Sequence, residues 1–150
     1  MKKVGEKMKL DVNKSYYLVD QHSGKGLSYE VYLNYDYVRE VDGNGTKIKF
    51  EDAGNASYRI KMTSSHWDNY TYFTRSGNNW IYLDKKEKSS TWHVSDTTSF
   101  FGISSSDAAC VYQSGQLDPH YWTYFEKGSK KWLGTDGTNE AKRFKFVEVE

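Results

Sequence analysis

Three segments of this chain each combine a histidine with a carboxylate and with amide or hydroxyl groups. The residues of interest are Asp20 and His22 in the first segment, His66, Trp67, Asp68 and Asn69 in the second, and Asp118, His120 and Trp122 in the third. An indole ring can stack on the C–H face of a pyranose, while short polar groups bond its hydroxyls. The composition of these segments therefore favours a sugar-binding surface. The alternative is that polar residues are ordinary in loops and that the two indoles only cover the core.

Motifs for catalysis or for metal binding are missing from the sequence. It contains no H-E-x-x-H, no Cys/His ligand spacing, no glycine-rich phosphate loop and no G-x-S-x-G. The acidic residues are scattered, and no pair of them is predicted on one face. We therefore expect a protein that is not an enzyme and that needs neither a metal nor a cofactor.

The three segments occupy corresponding positions in a threefold internal repeat. Residues 16–52, 58–94 and 110–146 align without a gap. Six columns agree in character: Tyr16/Tyr58/Cys110, Leu18/Ile60/Tyr112, Val31/Phe73/Phe125, Val38/Trp80/Trp132, Asp42/Asp84/Asp136 and Phe50/Trp92/Phe144. Self-similarity of this kind indicates a repeated architecture. The five apolar or aromatic columns predict a shared core, with Phe73 and Phe125 fully packed.

Each repeat has the pattern of four short strands. Apolar residues alternate with polar ones in four segments per repeat, which is typical of β-strands. Turn-forming residues separate the second and third segments at 34–36, 76–79 and 128–130. The only proline, Pro119, falls between strands. The sequence thus predicts an all-β fold of twelve strands in a single domain spanning residues 1–150.

Charge and composition narrow the class of partner. The formal net charge is only +1, which does not demand a nucleic acid or an anionic membrane. No signal peptide or membrane-spanning segment is apparent, so we expect a cytoplasmic protein, or one released without a classical signal. The single cysteine, Cys110, cannot form an internal disulfide and is expected to be a small buried residue.

Two further features leave alternatives open. Basic residues collect near the end of the chain, at Lys127, Lys130, Lys131, Lys142 and Arg143. If they converge they would suit sulfated glycans, and otherwise they are ordinary solvated side chains. The insertion at 95–109 carries two adjacent phenylalanines, which suit either a partner contact or an anchor to the body of the protein.

The threefold repeat of four strands resembles the β-trefoil superfamily. The resemblance implies that the first and fourth strands of the repeats build a six-stranded barrel, which three hairpins cap at one end. Ricin-type trefoil lectins carry Gln-x-Trp in the fourth strand, but the glutamine is missing from all three matching triplets, at 48–50, 90–92 and 142–144. Residues 132–137 and 142–146 are more similar to the last unit of fibroblast-growth-factor or interleukin-one trefoils.

Together these observations favour a non-catalytic β-trefoil lectin that binds glycans or glycoproteins, without nucleic acid and without membrane insertion. Self-association into a homo-oligomer stays open. The alternatives are a protein-interaction trefoil, either growth-factor- or cytokine-like or a fascin-like cytoskeletal module, and a trefoil protease inhibitor. Fold alone does not choose among these functions.

Overall fold

The computed structural model describes residues 10–95, 108–115, 120–136 and 141–149. Its strands are β1 (Ser15–Asp20), β2 (Gly26–Tyr32), β3 (Tyr35–Val41), β4 (Ile48–Gly54), β5 (Ser57–Met62), β6 (Tyr72–Arg75), β7 (Ile81–Asp84), β8 (Trp92–Val94), β9 (Ala108–Gln113), β10 (Trp122–Lys127), β11 (Lys130–Thr135) and β12 (Arg143–Glu148). A short 3-10 turn, Lys86–Lys88, lies between β7 and β8. The twelve predicted strands are confirmed, four in each repeat.

Six of the strands close into a barrel. The first and fourth strands of the repeats pair in the cyclic order β1–β4–β5–β8–β9–β12, and β12 returns to β1. All of these pairings are antiparallel, and closure leaves the barrel without an exposed sheet edge. This is the barrel that the β-trefoil resemblance implies.

The second and third strands of each repeat form a hairpin, and the three hairpins meet around the pseudo-threefold axis. The hairpins are β2–β3, β6–β7 and β10–β11. Their third strands contact one another in a triangle through the pairs Tyr37↔Tyr82, Trp80↔Gly134 and Trp132↔Arg39. The hairpins therefore cap the barrel, as predicted.

The core lies inside the barrel and under the hairpin cap. Phe50, Trp92 and Phe144 have exposed fractions of 1% or less, which confirms the fourth-strand column of the repeat. Leu18 and Ile60 are likewise buried on the first strands. Side chains of equivalent strands thus fill one apolar core around the axis.

Three other columns of the ungapped alignment need correction. The triangle of third strands makes Tyr37, not Val38, the equivalent of Trp80 and Trp132. The residues that follow these three in the sequence, Val38, Ile81 and Leu133, are the fully buried ones. The connections differ in length among the repeats: five, nine and eight residues join the first strand to the second, and the hairpin turns take two, five and two, so an alignment without gaps cannot keep all four strands in register.

Errors of register also affect the first strand of the third repeat and the second strands. Val111 is fully buried in β9, whereas Tyr112 is partly exposed. Among the second strands, Phe73 is fully buried, but Val31 is 42% exposed and Phe125 is only half-buried. The expectation of a fully packed Phe125 is therefore wrong.

Phe125 belongs to an aromatic cluster in the hairpin cap. Its ring stacks on Trp80 with centroids 6.1 Å apart, and Trp80 stacks on Trp132 at 5.8 Å. The Phe125 ring fills the space above Gly134, where an added Cβ would lie 2.1 Å from a ring carbon. Trp80 and Trp132 thus pack within the cap.

Candidate functional site

The connection between β5 and β6, residues 63–71, carries four of the predicted site residues. A turn holds its middle, where the Tyr70 amide donates to the Trp67 carbonyl at 3.1 Å. The Ser65 hydroxyl donates to the same carbonyl at 2.7 Å. Asn69 adopts φ +71°, a left-handed conformation that asparagine tolerates better than most residues. The loop is therefore shaped by its own backbone contacts.

A buried carboxylate on β3 anchors this loop. The side chain of Asp36 is fully buried and accepts two bonds from His66, one from its amide at 2.7 Å and one from ring Nδ1 at 2.6 Å. Because an ionised carboxylate only accepts hydrogen bonds, the Nδ1 atom of His66 carries a proton in this bond, and Nε2 is the ring nitrogen that Asp36 does not engage. The imidazole, 53% exposed, therefore presents a polar atom of fixed orientation.

An exposed indole adjoins that imidazole. Trp67 is 39% exposed, the largest value among the five tryptophans, and its ring centroid lies 6.0 Å from that of His66. On the other side, Tyr29 meets the imidazole edge-on at 5.4 Å. Asp68 and Asn69 are exposed beside them. We call these five residues, Tyr29, His66, Trp67, Asp68 and Asn69, the Trp67 surface.

Two members of this arrangement were missed in the sequence. Asp36 was assigned to a turn, yet it lies in β3, and Tyr29 was read only as a strand residue. They come from the first repeat, whereas His66 comes from the second, 30 positions beyond Asp36. The only local signal for Asp36 is an acidic residue at an inward position of an alternating strand.

The first predicted segment has a different role. Asp20 is buried, and its carboxylate accepts the His22 amide at 2.7 Å, the Ser23 amide at 3.1 Å and the Tyr124 hydroxyl at 2.8 Å. It therefore caps its own turn and offers little to a ligand. Burial and this carboxylate together hold the pKa of Tyr124 far above its usual value. His22 is exposed and lines a separate depression of about 640 Å³ with Lys142 and Arg143.

The third predicted segment places its indole in the core. Trp122 is fully buried, stacks on Phe73 with centroids 5.5 Å apart and meets Trp92 and Phe144 edge-on at 5.6 Å each. The expectation of a stacking face at Trp122 is therefore corrected: as the first residue of β10, its side chain points inward. His120 is half-buried with a buried Nδ1, and Asp118 lies outside the described residues.

The predicted basic cluster is split between two depressions. Lys130 and Lys131 line one of about 410 Å³ together with Arg39, and Lys130 pairs with Glu30 at 2.5 Å. Lys142 and Arg143 line the depression beside His22 instead. The insertion with its two phenylalanines lies outside the described residues, apart from its ends at Ser95 and at 108–109.

A second group of cations, which the sequence analysis did not single out, borders the Trp67 surface. Its depression, of about 540 Å³, is lined by Lys61, Asn69, Thr71, Tyr72, Lys85, Lys86 and Glu87. We call Lys61, Lys85 and Lys86 the lysine cluster. Glu51 pairs with Lys61 at 3.4 Å and with Lys86 at 3.2 Å, so one carboxylate holds two of the three ammonium groups.

The pKa values of Glu51 and of its partner Tyr72 are both shifted. Burial raises the pKa of Glu51, but the hydrogen bonds from Tyr72 and Lys86 and the charges of Lys86 and Lys61 outweigh it, and the pKa lies below its usual value. Burial and the Glu51 carboxylate raise the pKa of Tyr72 to about 12. Glu51 therefore stays ionised near neutral pH and keeps both lysines in place.

The described residues bear on three further kinds of site: a metal site, a reactive thiol and a membrane-spanning helix. Within them, no group of three or more His, Cys, Asp or Glu side chains could hold a metal ion. Cys110 is partly buried, and that burial raises the pKa of its thiol, which disfavours the reactive thiolate. The described part of the chain contains no helix with the length and apolarity that crossing a bilayer requires.

Comparison with known proteins establishes the fold. No protein-family model matches the sequence, and no curated protein is a significant match. Among solved structures, the lysenin pore superposes with a TM-score of 0.75 at 12% identity, over 98% of this chain and 50% of that one. Trypsin inhibitor 1 from Senna obtusifolia gives 0.73 at 13% identity over 93% of each chain. Alocasin, a protease inhibitor from giant taro (Arum macrorrhizon), gives 0.70 at 12% identity over 95% of each.

These similar structures are β-trefoils, and the protein described here has the β-trefoil fold. The chain spans about half the length of lysenin and nearly the whole length of the two inhibitors. At these identities the similarity shows the fold alone, so function has to be argued from the surface.

Proposed function

We propose that this protein is a non-catalytic lectin that binds glycans or glycoproteins at the Trp67 surface. The observation that supports this most is the exposed Trp67 ring beside an imidazole whose orientation the buried Asp36 fixes. The indole supplies an apolar face for the C–H side of a sugar ring. His66 Nε2 forms a hydrogen bond with a sugar hydroxyl, and the exposed Asp68 and Asn69 add further acceptors and donors.

Loop 63–71 is held in place by hydrogen bonds, which favours ligand binding. The Trp67 carbonyl receives two hydrogen bonds, and both Asp36 oxygens receive bonds from His66, so the polar groups are set before a ligand arrives. A site that is already ordered loses less conformational entropy on binding. This compensates for the small contact area that a sugar offers.

The arrangement of carboxylates argues for binding without catalysis. Glycoside hydrolysis commonly uses two carboxyl groups that flank the scissile bond. In the Trp67 surface, Asp68 is exposed, and the nearby Asp36 is buried with both oxygens engaged by His66. No second free carboxylate faces a sugar bound there, among the residues that define this surface.

Truncation of the exposed indole tests the proposal. Trp67→Ala is expected to weaken glycan binding by about tenfold or more, because burying an aromatic face contributes roughly 1.5–3 kcal/mol. Trp67→Phe keeps an apolar ring and should retain part of the affinity. The measurement is binding to a glycan array, followed by titration calorimetry with the strongest hit.

A comparably exposed ring provides the control. Tyr35, 42% exposed on the β2–β3 hairpin, lies outside the Trp67 surface, and Tyr35→Ala should bind as the wild type does. Equal loss in both alanine variants would show that the site lies elsewhere. Normal binding by Trp67→Ala would rule out the Trp67 surface.

A second candidate function is protease inhibition, which one feature favours. Leu33 is 71% exposed at the tip of the β2–β3 hairpin, where it and Asn34 both adopt left-handed conformations in a tight turn. Two of the similar structures are protease inhibitors by name. An exposed apolar side chain on a rigid tip could enter the specificity pocket of a protease.

Titration of chymotrypsin and subtilisin, whose specificity pockets accept apolar side chains, tests this second candidate. Stoichiometric inhibition that Leu33→Asp abolishes would support an inhibitor. Full residual protease activity at excess protein, together with glycan binding that depends on Trp67, would leave the lectin proposal alone standing.

A further inference from the structure

The lysine cluster carries more positive charge than its own carboxylates neutralise. Lys61 and Lys86 share Glu51, whereas Lys85 has no carboxylate within 4 Å among the described residues. Arg59 extends the cluster into an adjoining depression that it lines with Lys86 and Glu87, and its Nε atom has no hydrogen-bond partner there. Among the residues that line the two depressions or pair with them, the cationic side chains are thus Arg59, Lys61, Lys85 and Lys86, and the carboxylates are Glu51 and Glu87.

These ammonium groups are held in defined positions. Lys61 lies 5.6 Å from the centre of the Tyr72 ring, and Lys85 lies 5.3 Å from that of Tyr70. Lys86 is oriented by Glu51, which the Tyr72 hydroxyl fixes in turn at 2.7 Å. Ordinary solvated lysines lose side-chain entropy when they bind an anion, and these contacts reduce that loss in advance.

The depression is continuous with the loop that carries Trp67. Asn69 and Thr71 line it, and Asn69 is only two residues from Trp67. Two residues of extended chain span at most about 7 Å, so the Cα atoms of Trp67 and Asn69 lie within that distance, and Asn69 belongs both to the Trp67 surface and to the lining of the depression. A ligand that stacks on Trp67 is therefore within reach of the lysine cluster when it extends along the loop.

We infer that the glycan bound at the Trp67 surface is acidic, and that the lysine cluster binds its carboxylate or sulfate group. This inference rests on the lectin function proposed above and names the ligand class of that site. A carboxylate or sulfate group would neutralise the positive charge of the lysine cluster that Glu51 does not, and it would contact Lys85 and Lys86 most directly. The Asn69 amide and the Thr71 hydroxyl offer uncharged donors at the same place.

A set of matched oligosaccharides tests the inference. One oligosaccharide backbone is prepared in three forms: with uronic-acid carboxylates, with those carboxylates reduced to neutral alcohols, and with the reduced form sulfated. The binding of each form is titrated at low and at moderate salt. We expect both acidic forms to bind about tenfold more tightly than the neutral form, consistent with two or three exposed charge contacts of up to about 1 kcal/mol each. Added salt should reduce this advantage. The relative affinity of the two acidic forms then identifies the anion.

Charge removal locates the site. Lys85→Gln/Lys86→Gln should lose most of the advantage of the acidic forms and leave binding of the neutral form nearly unchanged. The matched control, Lys130→Gln/Lys131→Gln, removes the same charge from the β10–β11 hairpin and should keep the advantage. Lys85→Gln alone breaks no ion pair and gives a partial loss if the double variant proves unstable.

The outcomes separate this inference from the proposed function. Equal affinity for neutral and acidic forms, with dependence on Trp67, would refute the acidic ligand and keep the lectin. An equal loss of the acidic advantage in both double variants would refute the lysine cluster as its site. Absence of binding to every form, together with the absence of any hit on the glycan array, would contradict the inference and the lectin function together.

Discussion

Replacing Trp122 with alanine is expected to lower the free energy of unfolding by about 3–5 kcal/mol, since a fully buried indole leaves a large cavity. Its ring contacts Phe73 and Trp92 of the second repeat and Phe144 of the fourth strand of its own. These rigid neighbours cannot collapse into the space. Urea titration followed by circular dichroism measures the loss.

The comparison with Trp67 makes this prediction specific. Trp67→Ala removes a ring of the same kind from an exposed loop and should change the free energy of unfolding by less than about 1 kcal/mol. Losses of similar size in the two variants would contradict the division of the indoles between core and surface. A loss below about 1 kcal/mol for Trp122→Ala would contradict the fold of the third repeat.

Replacing Asp36 with alanine is expected to affect both stability and binding. The variant leaves the His66 amide and ring Nδ1 without their acceptor and should lower the free energy of unfolding by about 1–3 kcal/mol. Loop 63–71 loses its anchor, so binding must also order the loop. We expect this to lower glycan affinity by about tenfold or more, which corresponds to about 1.4 kcal/mol or more of binding free energy. Thermal unfolding and calorimetric titration of the same sample measure the two effects.

A conservative variant separates charge from shape. Asp36→Asn keeps the volume and one acceptor oxygen, so it can still receive the His66 amide but must rearrange at Nδ1. Its losses in stability and in binding should both lie between those of the wild type and of Asp36→Ala. Wild-type affinity in Asp36→Ala would show that the anchor has no part in the site.

The repeat made the fold predictable, whereas the exact register was not. Alternation places strands well, because every strand of a trefoil has one face on the core. Register depends on the lengths of the connections, and these differ among the repeats: five, nine and eight residues join the first strand to the second, and two, five and two form the hairpin turns. An ungapped alignment therefore assigned Val38 and Tyr112 to columns that Tyr37 and Val111 occupy.

The candidate site was only partly predictable, for a different reason. His66–Asn69 could be found because an indole among polar loop residues is a local pattern. Trp122 has similar neighbours in sequence, but it begins a strand and faces inward, which only the fold decides. Asp36 and Tyr29 join the site through contacts across two repeats, and such pairs leave no local signal.

The lysine cluster likewise could not be predicted from local sequence. Residues 85–88 can be read as a charged run in the sequence, which is usually a solvated face. Lys61 and Glu51 come from β5 and β4, and only the barrel brings them beside that run. The resulting surface could not be distinguished from scattered lysines before the strands were placed.

The most direct test of the central claim is an NMR titration that follows the five tryptophan indole N–H signals while a glycan identified on the array is added. Trp67→Phe and Trp122→Phe assign the two decisive signals. We predict that the Trp67 signal shifts progressively to saturation, whereas the signal of the buried Trp122 stays in place. Saturable shifts confined to Trp80 and Trp132, with Trp67 unmoved, would place the ligand on the hairpin cap and contradict the account.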